Sequence, residues 1–267
     1  MECLDKTMLQ ACGASKSSFR PAPHYDINIV MNMEDKNGHL HPITSVVREI
    51  ATIFDKIGFS VASGPELETE FYNFDALNVP KDHPARDMQD TFWISSPGEE
   101  KKVLRTHTSS VQVRYMEKIK DNPHPFKIII PGKVFRNEAT DATHEAQFYQ
   151  IEGLYINKKV SLAELKGTLE YFFKEFLGPD VKIRFRPSYF GFVEPGVEVD
   201  VWYKDKWLEI FGAGITHPFV IKSAGLDPKV WKGFAFGGGI DRLVLLRYGV
   251  DDIRNLYSGD LRLINQF

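Results

Sequence analysis

Two neighbouring stretches of the sequence carry polar and aromatic residues at a spacing that could bind a nucleotide. Arg136 and Glu138 stand two residues apart, and Phe148, Gln150 and Glu152 follow the same spacing, so each set shares one face of a predicted strand. An arginine can bind a phosphate through paired hydrogen bonds, and an aromatic ring can stack on a base. Taken alone, however, this alternation favours a solvated sheet face with ordinary cross-strand ion pairs.

A glycine-rich segment is a second candidate for phosphate binding. Gly237, Gly238 and Gly239 precede Ile240-Asp241-Arg242, and the segment is predicted to open a helix. Glycines let the backbone approach a ligand closely, and a helix N-terminus favours an anion through its free N–H groups. The segment completes neither the G-x-G-x-x-G pattern nor a P-loop. A glycine-rich turn packed against a strand is the alternative.

Two aromatic and two acidic residues could contact a ligand ring and a metal ion. Phe190 and Phe192 are separated by one residue, so in an extended segment both rings point the same way and could hold a flat ring. Core packing is the more common role of such a pair.

Glu194 and Glu209 could serve Mg²⁺, which prefers oxygen ligands shared with substrate phosphates. Each carboxylate alone is more typical of a solvated or ion-paired group.

Composition narrows the class of protein. The 267 residues carry 33 basic and 36 acidic side chains, a net charge of −3, which excludes a simple strongly basic nucleic-acid-binding domain. No apolar run approaches the ~18 residues of a membrane span, and no secretory signal is visible. The only cysteines are Cys3 and Cys12, so no disulfide framework is expected in the core. We therefore expect a cytoplasmic globular protein.

The order of predicted elements indicates an α+β fold with a mainly antiparallel sheet. Strand-like runs follow one another as hairpins at 126–156 and 197–211, whereas helices come singly. Pro42 opens one helix, and Ser161 with Glu164 forms a capping-box pattern before another. Residues 1–24 show no clear pattern and are predicted to be a leader, and residues 25–267 are predicted to be one domain. Residues 66–90 lack a clear period and are predicted to be a long loop.

Six segments, taken together, resemble the class II aminoacyl-tRNA synthetases, and among them the α-subunit family of bacterial-type phenylalanyl-tRNA synthetases. The resemblance runs from about Tyr25 to Phe267. It rests on the segments GPELETEFYNFDALNVPKDHPARDMQDTFW, LRTHTS, PGKVFRNEATDATHEAQFYQIEGL, RFRPSYFGFVEP, WLEIFGAGITHP and GFAFGGGIDRLVLLRYG. It implies a class II synthetase catalytic domain.

The resemblance implies roles for individual residues. Arg136 would hold the α-phosphate of ATP, His144 would reach toward the other phosphates, and Phe148 would stack on adenine. Gly237, Gly239 and Arg242 look like the family's motif 3, with Arg242 on the γ-phosphate. The amino-acid site would comprise His107, Ser109, Gln112, Glu138 and Gln150 around the ammonium and carboxylate, Phe190 and Phe192 on the phenyl ring, and Val193 and Ala235 lining the pocket. Glu194 matches a Mg²⁺ ligand in a site shared with the β subunit.

The implied activity is ATP-dependent activation of L-phenylalanine and its transfer to the 3′ end of tRNA(Phe), with a β subunit in an α₂β₂ assembly. The sequence departs from the family at four positions: Gly191 stands for proline, Asp241 for glutamate, Thr216 for an apolar residue and Ser110 for proline. The family's N-terminal coiled coil has no counterpart in residues 1–24. Two alternatives follow: a paralogue that forms adenylates for a non-tRNA acceptor, and a non-catalytic regulatory relative.

Overall fold

The computed structural model of the protein describes residues 38–86, 90–94, 101–142 and 144–267, so the predicted leader lies outside the described residues. The strands are β1 Ser60–Val61, β2 Leu67–Thr69, β3 Trp93–Ile94, β4 Lys102–Leu104, β5 Phe126–Phe135, β6 Gln147–Asn157, β7 Ile183–Phe190, β8 Val193–Tyr203, β9 Lys206–Thr216 and β10 Lys232–Gly239. The helices are α1 Pro42–Asp55, α2 Glu70–Asn73, α3 Ser110–Ile119, α4 Leu162–Leu177, α5 Pro218–Ser223, α6 Ile240–Tyr248 and α7 Leu261–Ile264.

Seven strands form one large sheet in the order β1-β5-β6-β10-β9-β8-β7. Its neighbours are antiparallel except β1, which runs parallel to β5. A small antiparallel sheet has the order β2-β4-β3. The predicted α+β class, a mainly antiparallel sheet flanked by helices, is confirmed. Within the described parts of the chain, no helix has the length and apolar character needed to cross a membrane.

One face of the large sheet carries the main hydrophobic core. Phe234 and Phe236 of β10 point to this face because strand residues two apart share a side. Helices α1, α4 and α6 pack residues against this face, and strands β5, β6, β8 and β9 add further core residues. The ring of Phe54 in α1 stacks on Phe172 of α4 at a centroid distance of 5.0 Å and on Phe236 at 5.3 Å. Stacked rings therefore connect both helices directly to the middle of the sheet.

Helices α1 and α4 begin where side chains satisfy their first N–H groups. His41 precedes α1, and its Nδ1 accepts a hydrogen bond from the backbone N–H of Ile43 at 3.2 Å. At α4 the Ser161 hydroxyl accepts from the Glu164 N–H at 3.2 Å, and the Glu164 carboxylate accepts from the Ser161 N–H at 2.8 Å. The predicted capping box is confirmed. Gly58, after α1, adopts the left-handed φ of 82° that its position predicts.

A smaller core covers part of the opposite face of the large sheet. Val111 and Met116 of α3 and Val220 of α5 pack there against Ile128 and Leu154. These short helices cover one end of the face. The middle of β6, β9 and β10 is left accessible on this side, and it is here that the candidate site lies.

Residues 66–90 are not the long loop that their composition predicts. The described part of the segment contains β2, α2 and 3-10 helices at Asp75–Leu77 and Pro84–Arg86. Arg86 stabilises these short elements: its buried guanidinium pairs with Glu70 at 2.9 Å and with Asp75 at 2.7 Å. Such contacts leave no periodic pattern in the sequence, so the prediction was wrong.

The structure tests the local predictions at the glycine run and at the aromatic pair. Helix α6 opens after the glycines as predicted, but the alternative of a glycine-rich turn is wrong, because β10 pairs with β6 as far as Gly239 and with β9 as far as Gly237. Phe190 ends β7, but Phe192 lies in the tight turn that leads into β8 and not in an extended segment. The glycine run is therefore part of the sheet, and the two phenyl rings project from a strand end and a turn.

The packing of the core predicts opposite effects for two glycine-to-alanine substitutions. A Cβ at Gly153 of β6 would overlap the ring of Phe236, whereas a Cβ at Gly167 of α4 meets no atom within 4 Å. Gly153→Ala should lower the free energy of unfolding by about 1–3 kcal/mol through overpacking. Gly167→Ala should raise it by about 0.5–1 kcal/mol, because alanine is the better helix former. Urea unfolding measures both, and equal effects of the two changes would contradict the described packing.

Candidate active site

A cavity of about 450 Å³ lies on the accessible part of the large sheet. Strands β6, β9 and β10 form its floor, and residues before α3, after β5 and at the β7–β8 turn form its walls. The lining residues range in sequence from His107 to Ile253, so the site is assembled by the strand order and not by one local segment.

Glycines in β9 and β10 leave room in the floor of the cavity. A Cβ at Gly212 of β9 would lie 2.9 Å from Cζ of Phe190, so glycine lets that ring lie against the strand. A Cβ at Gly237 would overlap the side chain of Glu152. At Gly239 nothing lies within 4 Å of the Cβ position. The floor therefore accommodates two functional side chains and leaves space above the end of β10.

A cationic and aromatic group occupies one end of the cavity. The guanidinium carbon of Arg136 lies 5.0 Å from the centroid of the Phe148 ring, and Arg136 Nε donates to the Thr106 carbonyl at 3.2 Å. Burial lowers the pKa of Arg136, Glu138 opposes that shift, and Arg242 adds to it. Because burial disfavours the charged form, an anionic ligand would stabilise this cation.

Arg242 approaches the same cavity from the first turn of α6. Its Nη1 donates to the backbone carbonyl of Glu209 in β9 at 2.9 Å. The guanidinium and the Glu209 residue are therefore neighbours at the edge of the cavity. The positive side chain is therefore anchored on the backbone of β9 next to open space.

Glu152 is a buried carboxylate beside the floor. Gln112 Nε2 donates to its Oε2 at 2.7 Å, and the Ser109 hydroxyl and Thr108 backbone also hydrogen-bond to it. Burial raises the pKa of Glu152 to about 7, although these hydrogen bonds and Arg105 oppose the shift. Near neutral pH the group can therefore hold or release a proton, depending on what binds beside it.

His107 and Gln150 present polar atoms with no protein partner. Burial, and secondarily the positive charge of Arg136, lower the pKa of His107 to about 3, so the ring is neutral at pH 7. Among the residues that the structure describes, His107 Nδ1 and Gln150 Oε1 are buried and have no hydrogen-bond partner. Buried polar atoms of this kind normally have a partner. Both residues line the cavity, so a polar ligand there could supply one.

The other end of the cavity is aromatic. The rings of Phe190 and Phe192 are stacked, with centroids 6.0 Å apart and planes inclined at 29°. Ala235 of β10 lies in the floor beside them. An apolar ring could lie against these residues, since two aromatic side chains and a small one offer it apolar surface.

Comparison with known proteins identifies the family of the chain. The family described as tRNA synthetases class II core domain (F) matches residues 24–267. The chain belongs to this family. It is 51% identical over 245 residues to the phenylalanine–tRNA ligase alpha subunit of Dehalococcoides mccartyi, which covers 86% of this chain and 70% of the relative. It is 50% identical over 266 residues to that of Chlorobium limicola, with 95% and 77% covered. The Bacillus subtilis subunit is 51% identical over 242 residues, with 86% and 69% covered.

Most residues that the sequence predicts for a class II synthetase site come together in the cavity. Val193 and Glu194 do not. Val193 is buried in the smaller core, and Glu194 is exposed, with a carboxylate oxygen 3.5 Å from His217 Nε2. The predicted residues that line the cavity are His107, Ser109, Gln112, Arg136, Glu138, His144, Phe148, Gln150, Phe190, Phe192, Glu209, Ala235, Gly237, Gly239 and Arg242.

The two predicted metal ligands lie in different places. Glu209 borders the cavity, whereas Glu194 pairs with a residue after the far end of β9. Val193, next to Glu194, pairs with Thr216, seven residues from Glu209 along β9, which corresponds to about 23 Å of strand. In the described residues no group of three or more His, Cys, Asp or Glu side chains could hold a metal ion by itself. Glu209 fits the one-carboxylate mode in which Mg²⁺ takes its other ligands from substrate phosphates and water.

Sequence reasoning missed several residues of the site. Asp241 accepts hydrogen bonds from the Tyr149 backbone N–H at 3.0 Å and from the Tyr257 hydroxyl, which connects β6, α6 and the following segment. Ile253 lines the cavity, and its N–H donates to the Ala142 carbonyl at 3.1 Å. For Asp241, the position beside Arg242 was a sequence signal, whereas the sequence offered no signal for Ile253.

The raised pKa of Glu152 predicts a pH-dependent effect of Glu152→Gln. A folded-state pKa of about 7, against 4.5 for an ordinary glutamate, means that the folded protein keeps this proton to higher pH than the unfolded chain. Stability from this group therefore falls as pH rises from about 4.5 to 7. The free energy of unfolding of the variant, relative to that of the parent, should therefore increase between pH 4.5 and 7 and stay constant above pH 7.

Urea unfolding of the free protein at pH 5, 6, 7 and 8 measures this difference. Glu170→Gln, on the half-exposed side of α4, is the control and should show no such gain. A constant difference between Glu152→Gln and the parent at every pH would contradict the raised pKa.

Proposed function

We propose that this chain is the catalytic α subunit of a phenylalanine–tRNA ligase, which forms phenylalanyl-adenylate from L-phenylalanine and ATP and transfers the aminoacyl group to tRNA(Phe). The observation that carries the proposal is that one cavity holds an arginine–phenylalanine pair, Arg136 with Phe148, at one end and the stacked rings of Phe190 and Phe192 at the other. The names of the relatives favour this function over the two alternatives.

The arginine end suits ATP. Phe148 offers a ring on which adenine can stack, and Arg136 offers a buried guanidinium for the α-phosphate. Arg242 would bind the γ-phosphate, and His144, on the loop between β5 and β6, would approach the other phosphates. Gly237 and Gly239 leave the space that a phosphate chain needs above β10.

The aromatic end suits phenylalanine. Its phenyl ring would lie against Phe190, Phe192 and Ala235, which offer it apolar surface. Glu138 supplies a carboxylate and Gln150 an amide oxygen that can accept from the ammonium group. Gln112 donates one amide hydrogen to Glu152 and would offer the other to the substrate carboxylate, the Ser109 oxygen would accept from the ammonium group, and His107 adds a ring nitrogen without a protein partner.

The chemistry requires no nucleophile from the protein. The carboxylate oxygen of phenylalanine attacks the α-phosphorus, a new P–O bond forms, and pyrophosphate leaves. A ribose hydroxyl of tRNA then attacks the carbonyl carbon, and AMP leaves. Catalysis consists of alignment and of charge neutralisation by Arg136 and Arg242. When bound, Mg²⁺ would supply further neutralisation of phosphate charge, and Glu209, which borders the cavity, would hold it.

The partners belong to the same proposal. The α-subunit name of the relatives supports a β subunit as partner, and an α₂β₂ tetramer in the cytoplasm is our proposed assembly. Glu194, exposed and outside the cavity, is proposed as a Mg²⁺ ligand in a site shared with that β subunit. Val193 is proposed to support the phenyl pocket from the core behind it.

Phenylalanine-dependent ATP–pyrophosphate exchange tests the proposed function. The chain is co-expressed with its cognate β subunit, and tyrosine replaces phenylalanine as the control. We expect exchange with phenylalanine and not with tyrosine, and its loss in Arg242→Gln, which removes one phosphate-binding cation. Exchange without aminoacylation of tRNA(Phe) would favour the paralogue that serves another acceptor. No exchange from a folded complex would favour the non-catalytic relative.

The floor of the phenyl pocket predicts a change in specificity for Ala235→Gly. Ala235 is 4% exposed and lines the cavity, and in the proposed complex a substituent on the far edge of the substrate ring would meet its methyl group. Removing its methyl group should make room for para-substituted phenylalanines. We expect kcat/KM for p-chlorophenylalanine to rise at least about tenfold, the factor equivalent to 1.4 kcal/mol, while that for phenylalanine changes little. Unchanged use of such analogues would show that Ala235 does not limit the pocket.

A further inference from the structure

The turn between β7 and β8 is held by a residue far away in the sequence. Asn78 Nδ2 donates a hydrogen bond to the Gly191 carbonyl at 2.8 Å, across 113 positions of the chain. On the other side, the His217 backbone N–H donates to the Phe192 carbonyl at 2.9 Å. The carbonyl groups of Gly191 and Phe192 are therefore both held by residues outside the turn. The rings that this turn carries, Phe190 and Phe192, form the aromatic end of the cavity.

Gly191 gives this turn little rigidity of its own. Glycine has no side chain to restrict backbone rotation, so contacts from elsewhere must define its conformation. The turn also lies close to its support: a Cβ at Gly191 would be 3.0 Å from the Asn78 carbonyl oxygen. Within the described residues, Asn78 is the side chain that hydrogen-bonds to the Gly191 carbonyl.

Asn78 is itself held in an uncommon conformation. It follows the 3-10 helix Asp75–Leu77 with a left-handed φ of 61°, which asparagine adopts more easily than most residues. Its backbone N–H donates to the Asp75 carbonyl at 3.2 Å. Arg86 holds the chain on both sides of Asn78, because its Nη2 atom donates to the Asp75 carboxylate at 2.7 Å and to the Val79 carbonyl. The side-chain amide is thus presented from a rigid segment.

We infer that Asn78 is a positioning residue for amino-acid selection, which holds Phe190 and Phe192 in place through the Gly191 carbonyl. This inference rests on the proposed function, in which the two rings bind the substrate phenyl group. Asn78 does not line the cavity, so it acts only through the turn. Its loss should change recognition of the amino acid and leave recognition of ATP, at the other end of the cavity, unchanged.

Asn78→Asp is the decisive variant. Aspartate keeps the size of asparagine and its tolerance of a left-handed conformation, but it places an oxygen where the amide donor faces the Gly191 carbonyl. In the complex with the β subunit, the KM for phenylalanine in pyrophosphate exchange should rise about tenfold, the scale of one lost hydrogen bond. The KM for ATP should stay within about twofold. The ratio of kcat/KM for phenylalanine to that for tyrosine should fall.

Two further variants separate positioning from folding. Asn78→Gly adopts the left-handed conformation freely and removes the donor without adding repulsion, so the KM for phenylalanine should rise less than in Asn78→Asp. Asn122→Asp makes the same chemical change at an exposed position after α3, outside the cavity, and should match the parent.

The outcomes distinguish the inference from the function on which it rests. An active parent and an Asn78→Asp variant with an unchanged KM for phenylalanine would overturn the inference alone. Equal increases in the KM for phenylalanine and for ATP would overturn it too, because they indicate general damage to the site. A folded parent complex without phenylalanine-dependent exchange would overturn the proposed function and this inference together.

Discussion

A ligand cavity on the face of a β-sheet needs strand positions without side chains, while the other face needs enough apolar bulk to stabilise the sheet. Strand β10 meets both requirements within six residues. Phe234 and Phe236 point into the aromatic core, whereas Ala235, Gly237 and Gly239 point to the cavity. Because side chains alternate along a strand, a shift of one residue in the pairing of β10 would put the phenylalanines into the cavity. The register of this strand therefore determines both the core and the site.

The charged groups of the cavity depend on the same arrangement. Glu152 is buried and Arg136 and His107 are half-buried, and burial shifts the pKa of each toward its neutral form. Buried polar groups are normally stabilised by partners. Glu152 has protein partners, whereas Nδ1 of His107 has none among the described residues. The site is thus preorganised for a polar ligand that completes these interactions, and the cost of burying its charges is offset when the ligand binds.

The sequence predicts those parts of the fold that depend on local chemistry. The β5–β6 hairpin, the helices α1 and α4 and the capping box at Ser161 all follow from short-range patterns, and the structure contains them. Contacts between distant residues leave no such pattern. The segment 66–90 depends on Arg86 and on the pair of hydrogen bonds between Asn73 and Thr106, at 3.0 and 3.2 Å, so composition alone indicates a loop. Gly237–Gly239 form a strand because β6 pairs with all three glycines and β9 pairs with Gly237.

The candidate site shows the same division between local and distant causes. Alternation along β6 correctly groups Phe148, Gln150 and Glu152 on one face. The two ends of the cavity nevertheless differ in what holds them. At the arginine end, Phe148 stands on β6, and Arg136 directly follows β5, where its N–H donates to the Ala146 carbonyl at 2.9 Å and continues the pairing of the two strands, so its geometry follows from the sheet. The aromatic end stands on a turn whose carbonyls bond to Asn78 and His217. Substitutions outside the cavity should therefore alter recognition of the amino acid more readily than recognition of the nucleotide, because a turn held by single hydrogen bonds moves before a sheet does.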